Sequence, residues 1–299
     1  MTSEYDPPIQ AVRDAVARAL AEDLGPVGDI TAALLPESAQ GAVTLVARAE
    51  GVIAGTACVR ETYAQLDKRV ETAWNLDDGG AVEPGATIAT IDGALRSVLT
   101  GERTALNFLC HLSGVATLTR QFVRSVSGRA QIWDTRKTLP GLRALEKAAV
   151  RAGGGVNHRG SLSDMVLVKD NHLGALGVTG AVKQAREMWP GRRVEVECDR
   201  AEQVQEALAA GADMVMLDNM TPESAAECVR LVRESARPET LVEISGGVTL
   251  ENAGDYAATG ADLLSTSVIT QSAPALDIGL DLAPRANVPK GGRRYPAAE

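Results

Sequence analysis

Apolar positions change their period about a third of the way along the chain. Ile9, Val12, Val16 and Leu20 fall on one helical stripe, which predicts a helix over Pro8–Leu20, ended by Gly25-Pro26-Val27-Gly28. Val43–Arg48 alternates and carries β-branched residues, so it reads as a strand, and Val52-Ile53-Ala54 reads as another after a Glu-Gly turn. A helix is expected over Ala57–Leu66. Gly79-Gly80, Pro84-Gly85 and Asp92-Gly93 punctuate short strands, with Asp77-Asp78-Gly79-Gly80 read as a turn. Leu95, Val98, Leu99, Ala105, Leu106 and Leu109 make the apolar arc of a helix over Leu95–Cys110. Leu112-Ser113-Gly114 predicts a break before a second helix, Ser113–Val126. Glu102 falls inside the arc and Arg103 at its edge, and a charge there needs a partner or a ligand.

From Ala130 onward, short apolar strands alternate with helices. The strands are Gln131–Trp133, Met165–Val168, Val194–Cys198, Met214–Leu217, Leu241–Ile244 and Leu263–Leu264. The helices between them cover Leu142–Arg151, Val178–Met188, Ala201–Ala209, Ser224–Val232 and Leu250–Ala258. This rhythm predicts right-handed parallel units in an α/β fold. Gly-Ala-Asp before an apolar run recurs at Gly211 and Gly260, as at the helix-to-strand turns of α/β barrels. Six such strands would make a smaller barrel than the usual eight, with its chemistry at the C-terminal strand ends.

Composition narrows the function. The chain has 299 residues, enough for one large or two moderate domains. Its net charge of -9 argues against nucleic acid or an anionic membrane surface as partner. Aromatic residues make up only 3%, too few for base-stacking platforms. No apolar run approaches the roughly 20 residues of a membrane span. The N-terminal residues lack the features of a signal peptide, so a cytoplasmic location is expected. Cys58, Cys110, Cys198 and Cys228 lie far apart and read as free thiols. G-x-S-x-G, G-x-x-x-x-G-K-[ST] and H-E-x-x-H motifs are absent.

Against this acidic background, cations gather at the predicted strand ends. The first strand runs into Asp134-Thr135-Arg136-Lys137-Thr138, and Asn157-His158-Arg159 follows the three glycines 153–155. The second strand ends in Lys169-Asp170-Asn171-His172, the fourth in Asp218-Asn219, the fifth in Ser245-Gly246-Gly247 and the sixth in Ser265-Thr266-Ser267. Arg136 and Lys137 alone would read as a solvated turn. Together with their neighbours they point to a small ligand carrying several negative charges. Glu195 and Glu197 share a face of the third strand and need cations, one of them being within reach of a lysine. Ser245-Gly246-Gly247 reads as a phosphate cradle of bare backbone N–H groups. His111 and His172 read as structural. The competing readings are an enzyme with the same phosphate sites acting on a different ring, a Schiff-base role for Lys169 in an aldolase-type barrel, and a ligand-binding or metal-cofactor accessory protein without catalysis.

Glu102-Arg103-Thr104-Ala105-Leu106-Asn107, Asp134-Thr135-Arg136-Lys137-Thr138, the glycine run through Asn157-His158-Arg159, Lys169-Asp170-Asn171-His172, Leu217-Asp218-Asn219, Ile244-Ser245-Gly246-Gly247 and Ser272-Ala273-Pro274-Ala275-Leu276-Asp277 come in an order that resembles the quinolinate phosphoribosyltransferase family over nearly the whole chain. The resemblance implies an N-terminal α/β sandwich (1–112), an incomplete six-stranded α/β barrel (113–280) and a tail (281–299) returning toward the N-terminal domain. It implies transfer of phosphoribose from phosphoribosyl pyrophosphate to quinolinate with loss of CO2, giving nicotinate mononucleotide for NAD biosynthesis. It also implies Mg2+ with the donor, no tightly bound organic cofactor, and a homodimer with shared active sites.

By the same resemblance, Arg136 and Arg159 hold the quinolinate carboxylates, with Thr135, His158, Lys137 and Lys169 beside them and Arg103 arriving from the partner subunit. Lys137 and Lys169 face the pyrophosphate, Glu197 and Asp218 face the ribose hydroxyls and Mg2+, and Ser245, Gly246, Gly247, Thr266 and Ser267 bind the 5′-phosphate. Lys137, Lys169, Glu197 and Asp218 are the expected catalytic group. The chain departs from the family where it carries Ser267 in place of a frequent glycine and Gln271 in place of a frequent histidine. A serine is tolerable at 267 only where φ is negative.

Overall fold

The N-terminal stripe forms helix α1 (Ile9–Leu24), which buries Val12, Ala15, Val16 and Leu20 and leaves Ile9 exposed. The computed structural model describes residues 5–283 and 293–295. Its chain divides into two compact units. One gathers the residues up to Arg120, Leu139–Gly154 and those from Ser272 onward; the other gathers Gln121–Thr138 and Gly155–Gln271.

In the first unit, α1 is followed by β1 (Gln40–Ala47), β2 (Gly51–Val52), α2 (Thr56–Leu66), β3 (Glu71–Trp74), β4 (Ala81–Val82), β5 (Thr87–Ala94) and α3 (Leu95–Ser125), whose last turn passes into the second unit. Helix α4 (Arg143–Ala152) packs on α1. Strands β12 (Ile278–Ala283) and β13 (Arg293–Tyr295) complete an antiparallel sheet in the order β12-β1-β5-β3-β13. The remainder of the tail expected over 281–299 lies outside the described residues. Val43, Leu45, Ile88 and Ile91 on the sheet form one apolar cluster with Val59 and Tyr63 of α2 and with Val98, Ala105, Leu106 and Leu109 of α3. The Asp77–Gly80 segment is a turn, and Asp78 accepts hydrogen bonds from the N–H groups of Gly55 and Thr56, capping α2.

The break expected at Leu112-Ser113-Gly114 does not exist, because α3 runs through it unbroken. Both small residues are needed by packing. Ser113 Oγ accepts from Ala54 N and donates to Ala54 O. At Gly114 an added Cβ would collide with the Pro274 carbonyl. Their presence inside a helix reflects close backbone approach, which overrides a weak local preference. The strand expected over Val52–Ala54 is likewise shorter, with only Gly51–Val52 paired, to β4.

The second unit is a parallel sheet with helical crossovers. Its strands are β6 (Gln131–Trp133), β7 (Val166–Val168), β8 (Val194–Cys198), β9 (Met214–Asp218), β10 (Leu241–Ser245) and β11 (Leu263–Ser265). They lie in the order β6-β11-β10-β9-β8-β7. Sequence neighbours pair throughout, except that β6 joins β11. β6 and β7 are left as the two edges of a barrel that does not close. The crossovers carry α5 (Asp170–Met188), α6 (Ala201–Ala210), α7 (Pro222–Arg233) and α8 (Ala253–Ala258), and α9 (Val268–Gln271) follows β11. α5 starts earlier than Val178 because Lys169 N donates to His172 Nδ1, closing an extra turn before a kink at Gly177. Among the described residues no helix is long and apolar enough to cross a membrane.

Candidate active site

Pairing in register brings the strand ends to one rim. Ser245 pairs with both Asp218 and Ser265, Ser265 pairs with Trp133, Cys198 with Leu217, and Val168 with Val196. The segments that follow β6, β7, β9, β10 and β11 therefore emerge on the C-terminal side of the sheet.

The loop after the glycine run is tied to the end of β6. Val156 N donates to Ile132 O and Asp134 N to Val156 O, a parallel bridge on the open edge of the barrel. Asp134 is fully buried; its carboxylate accepts from Asn157 Nδ2 at 2.7 Å and from His158 N at 2.8 Å. These bonds hold the backbone just before Arg136 to the backbone just before Arg159, and both arginines are half-buried. Burial pushes the Arg159 guanidinium down from its usual range, and the neighbouring Arg136 charge pushes it the same way. Two like charges in proximity are stabilised by an anion that spans them. Lys137 is exposed, with its N–H on Thr135 Oγ1 and its carbonyl accepting from Thr270 Oγ1.

His158 is buried. Its Nε2 lies 3.2 Å from Glu195 and 3.1 Å from Glu243, while its Nδ1 accepts from Arg159 N at 2.7 Å. That acceptor role puts the ring proton on Nε2, facing the glutamates. Burial alone would push the imidazole down, but the hydrogen bonds and charge of the two carboxylates outweigh it and raise its affinity for a proton. Burial and then the Glu243 charge push Glu195 up. Glu243 was invisible to the motif reading, although a carboxylate between Val242 and Ile244 in an apolar strand is the signal that could have found it.

Lys169 Nζ forms an ion pair with Glu197 Oε2. Glu197 thus finds the lysine that its place on β8 called for. On the next strand, Asp218 Oδ2 accepts from Asn219 Nδ2 at 2.8 Å, and Asn219 N donates to Ser245 O at 2.9 Å. Gly246 and Gly247 both have positive φ, +88° and +67°, conformations that favour glycine. The loop closes through Asn252, which donates to Gly247 O and accepts from Thr249 N. Thr266 Oγ1 donates to Val248 O at 3.0 Å, linking the two phosphate-compatible turns. Ser127 and Asn219 are the non-glycine residues with positive φ among the described residues, so Ser267 sits in ordinary backbone and the serine there is unstrained. Arg103 lies exposed on α3 in the other unit.

Models of the quinolinate phosphoribosyl transferase N-terminal and C-terminal domains match residues 29–113 and 115–281. A nicotinate-nucleotide pyrophosphorylase [carboxylating] from Mycobacterium leprae is 44% identical over 91% of this chain and 97% of its own length. A probable nicotinate-nucleotide pyrophosphorylase [carboxylating] from Bacillus subtilis is 41% identical over 87% and 90%. Among solved structures, the nicotinate-nucleotide pyrophosphorylase of Francisella tularensis superposes with a TM-score of 0.88 at 36% identity, covering 95% of this chain and 100% of that one. With both domain models matched in order along the chain and a relative 44% identical over 91% of it, the chain belongs to the quinolinate phosphoribosyl transferase family.

Proposed function

We propose that this chain transfers phosphoribose from phosphoribosyl pyrophosphate to the ring nitrogen of quinolinate, releasing pyrophosphate and CO2 and leaving nicotinate mononucleotide. The observation that carries the reading is that Arg136 and Arg159, both half-buried, lie near enough for one charge to disfavour the other, a repulsion that a bound dicarboxylate would relieve. Lys137 and Lys169 supply charge for the pyrophosphate, and Ser245, Gly246, Gly247, Thr266 and Ser267 hold the 5′-phosphate. Lys169 Nζ is engaged by Glu197, which holds it away from the role of a Schiff-base nucleophile.

The chemistry needs positioned charge more than acid-base work. As the C1′–O bond to pyrophosphate breaks, ribose gains oxocarbenium character and negative charge builds on the leaving group, where the lysines stabilise it. The quinolinate nitrogen attacks C1′. The positive ring nitrogen so formed stabilises the electron pair left on the adjacent carbon when its carboxylate departs as CO2, and a proton then takes up that pair at carbon. His158 has both ring nitrogens engaged, so that proton comes from Lys137 or water. Glu197 and Asp218 suit Mg2+, because carboxylate oxygens are its preferred ligands and Asn219 engages only Oδ2 of Asp218. Bound there, the ion would neutralise charge on the donor.

The reading includes a cytoplasmic homodimer in which Arg103 completes the partner's site, and functional domains divided at 112/113 and 280/281. Incubation with quinolinate, phosphoribosyl pyrophosphate and Mg2+ should yield nicotinate mononucleotide and CO2. Absence of product, or equal use of nicotinate, overturns the assignment.

A further inference from the structure

We infer that Glu195 and Glu243 are positioning residues for quinolinate: together they fix the His158 ring, and the ring fixes the backbone from which the Arg159 guanidinium extends. The inference rests on the quinolinate reading above. Both glutamates are 0% exposed, Glu195 between the buried Val194 and Val196 and Glu243 between the buried Val242 and Ile244. Apolar side chains would suit those positions better if stability alone mattered.

The geometry supplies a different reason. His158 Nε2 meets Glu195 at 3.2 Å and Glu243 at 3.1 Å, and Nδ1 accepts the Arg159 N–H at 2.7 Å. Asp134 holds the same loop from its other side, through His158 N at 2.8 Å and Asn157 Nδ2 at 2.7 Å. The Trp133 ring meets the imidazole edge-on at 5.4 Å between centroids. Residues 157–159 are thus clamped by Asp134 on the backbone and by two glutamates through the imidazole. An arginine on a loop recognises a dicarboxylate only if its main chain is held, and small misplacements cost large factors in rate. The glutamates touch no substrate in this scheme; they act through His158.

The test replaces the acceptors while keeping volume. Glu243→Met and Glu195→Met are compared with wild type for kcat, for KM of quinolinate and phosphoribosyl pyrophosphate, and for quinolinate binding by calorimetry. Each should raise the quinolinate KM by about tenfold or more and leave the donor KM within about twofold. Glu243→Gln, which keeps an oxygen facing Nε2, should restore most of the loss. Combining Glu243→Met with Arg159→Ala should add little to Arg159→Ala alone, because both changes act through one side chain. If the Met variants do not fold, the isosteric Glu195→Gln/Glu243→Gln double variant reads the same split, at about threefold. Equal rises in both KM values, or full additivity with Arg159→Ala, would show a structural role only and overturn the inference. One bound transition-metal ion per wild-type chain, lost in Glu243→Gln, would also overturn it by assigning the cluster as ligands. A wild-type chain that makes no nicotinate mononucleotide defeats the functional reading instead, so the two failures are distinct.

Discussion

The side chain of Asn219 occupies the place where a Cβ on residue 246 would stand. Asn219 is itself in left-handed backbone at φ +54°, and Gly246 is at φ +88°. The Asn219 amide donates to Asp218 and its N–H to Ser245, so one strained residue couples the carboxylate expected at the ribose to the loop expected at the phosphate. Gly246→Ala should therefore do more than add the roughly 1–2 kcal/mol of left-handed strain. It should push Asn219 off Asp218 and raise the KM of the phosphoribosyl donor by about tenfold or more. Asn219→Gly relieves the strain but frees Asp218. Its stability to urea should stay within about 1 kcal/mol of wild type while kcat falls by about tenfold. Wild-type turnover in Asn219→Gly would remove the coupling.

Lys169 is half-exposed and ion-paired to a largely buried Glu197. The pair sits where a cation is wanted both by Glu197 and by an incoming pyrophosphate. Lys169→Ala should lower kcat/KM by about a hundredfold or more and shift the melting temperature little, since a pair whose lysine is open to water contributes little to stability. Lys169→Arg should recover only a small part, because a planar fork does not replace a compact ammonium. Steady-state kinetics with thermal melts on the three proteins decide the matter, and a Lys169→Ala enzyme within tenfold of wild type would remove this lysine from the chemistry.

Much of this architecture was legible in the residues because each barrel strand is a short apolar run bounded by a turn. The strand Leu241–Ser245, for example, is recovered to within one residue of its observed end. The rim was legible for the same reason, since each charged or glycine-rich segment follows directly on such a run. What escaped detection depends on contacts between distant segments. Ser113 and Gly114 look like a helix break until Ala54 and Pro274 are seen against them. The carboxylates around His158 escape because Glu195 and Glu243 lie on two strands remote from it in sequence. Asn219 has no local pattern that announces a positive φ.

The cysteines offer a check on packing that is independent of catalysis. Cys58, Cys198 and Cys228 are buried, and Cys110 is half-buried with its thiol directed at Ile278 O, 3.7 Å away. Burial pushes all four thiols up, Cys198 to about 12, so little thiolate exists at neutral pH. Native protein should resist a thiol-specific disulfide reagent at pH 7.5 for about an hour, whereas unfolding in guanidinium should release four reactive groups. Stoichiometric labelling of the native protein, mapped to any of the three buried positions, would contradict the packing.

Arg103 carries the remaining question, that of assembly. It is exposed on α3 beside the buried Thr104 and Ala105, and among the described residues no carboxylate forms an ion pair with it. If a neighbouring copy supplies it to the rim, Arg103→Ala and Lys169→Ala damage the same site from different chains. Each variant alone should be inactive. After subunit exchange, half of the dimers are mixed, and each mixed dimer holds one site with both native residues and one with neither. Activity should then return to about a quarter of the wild-type value, as two-fold symmetry requires. Exchange is followed by native mass spectrometry on differently tagged chains. Full exchange without recovered activity would mean that Arg103 serves the site of its own chain or none.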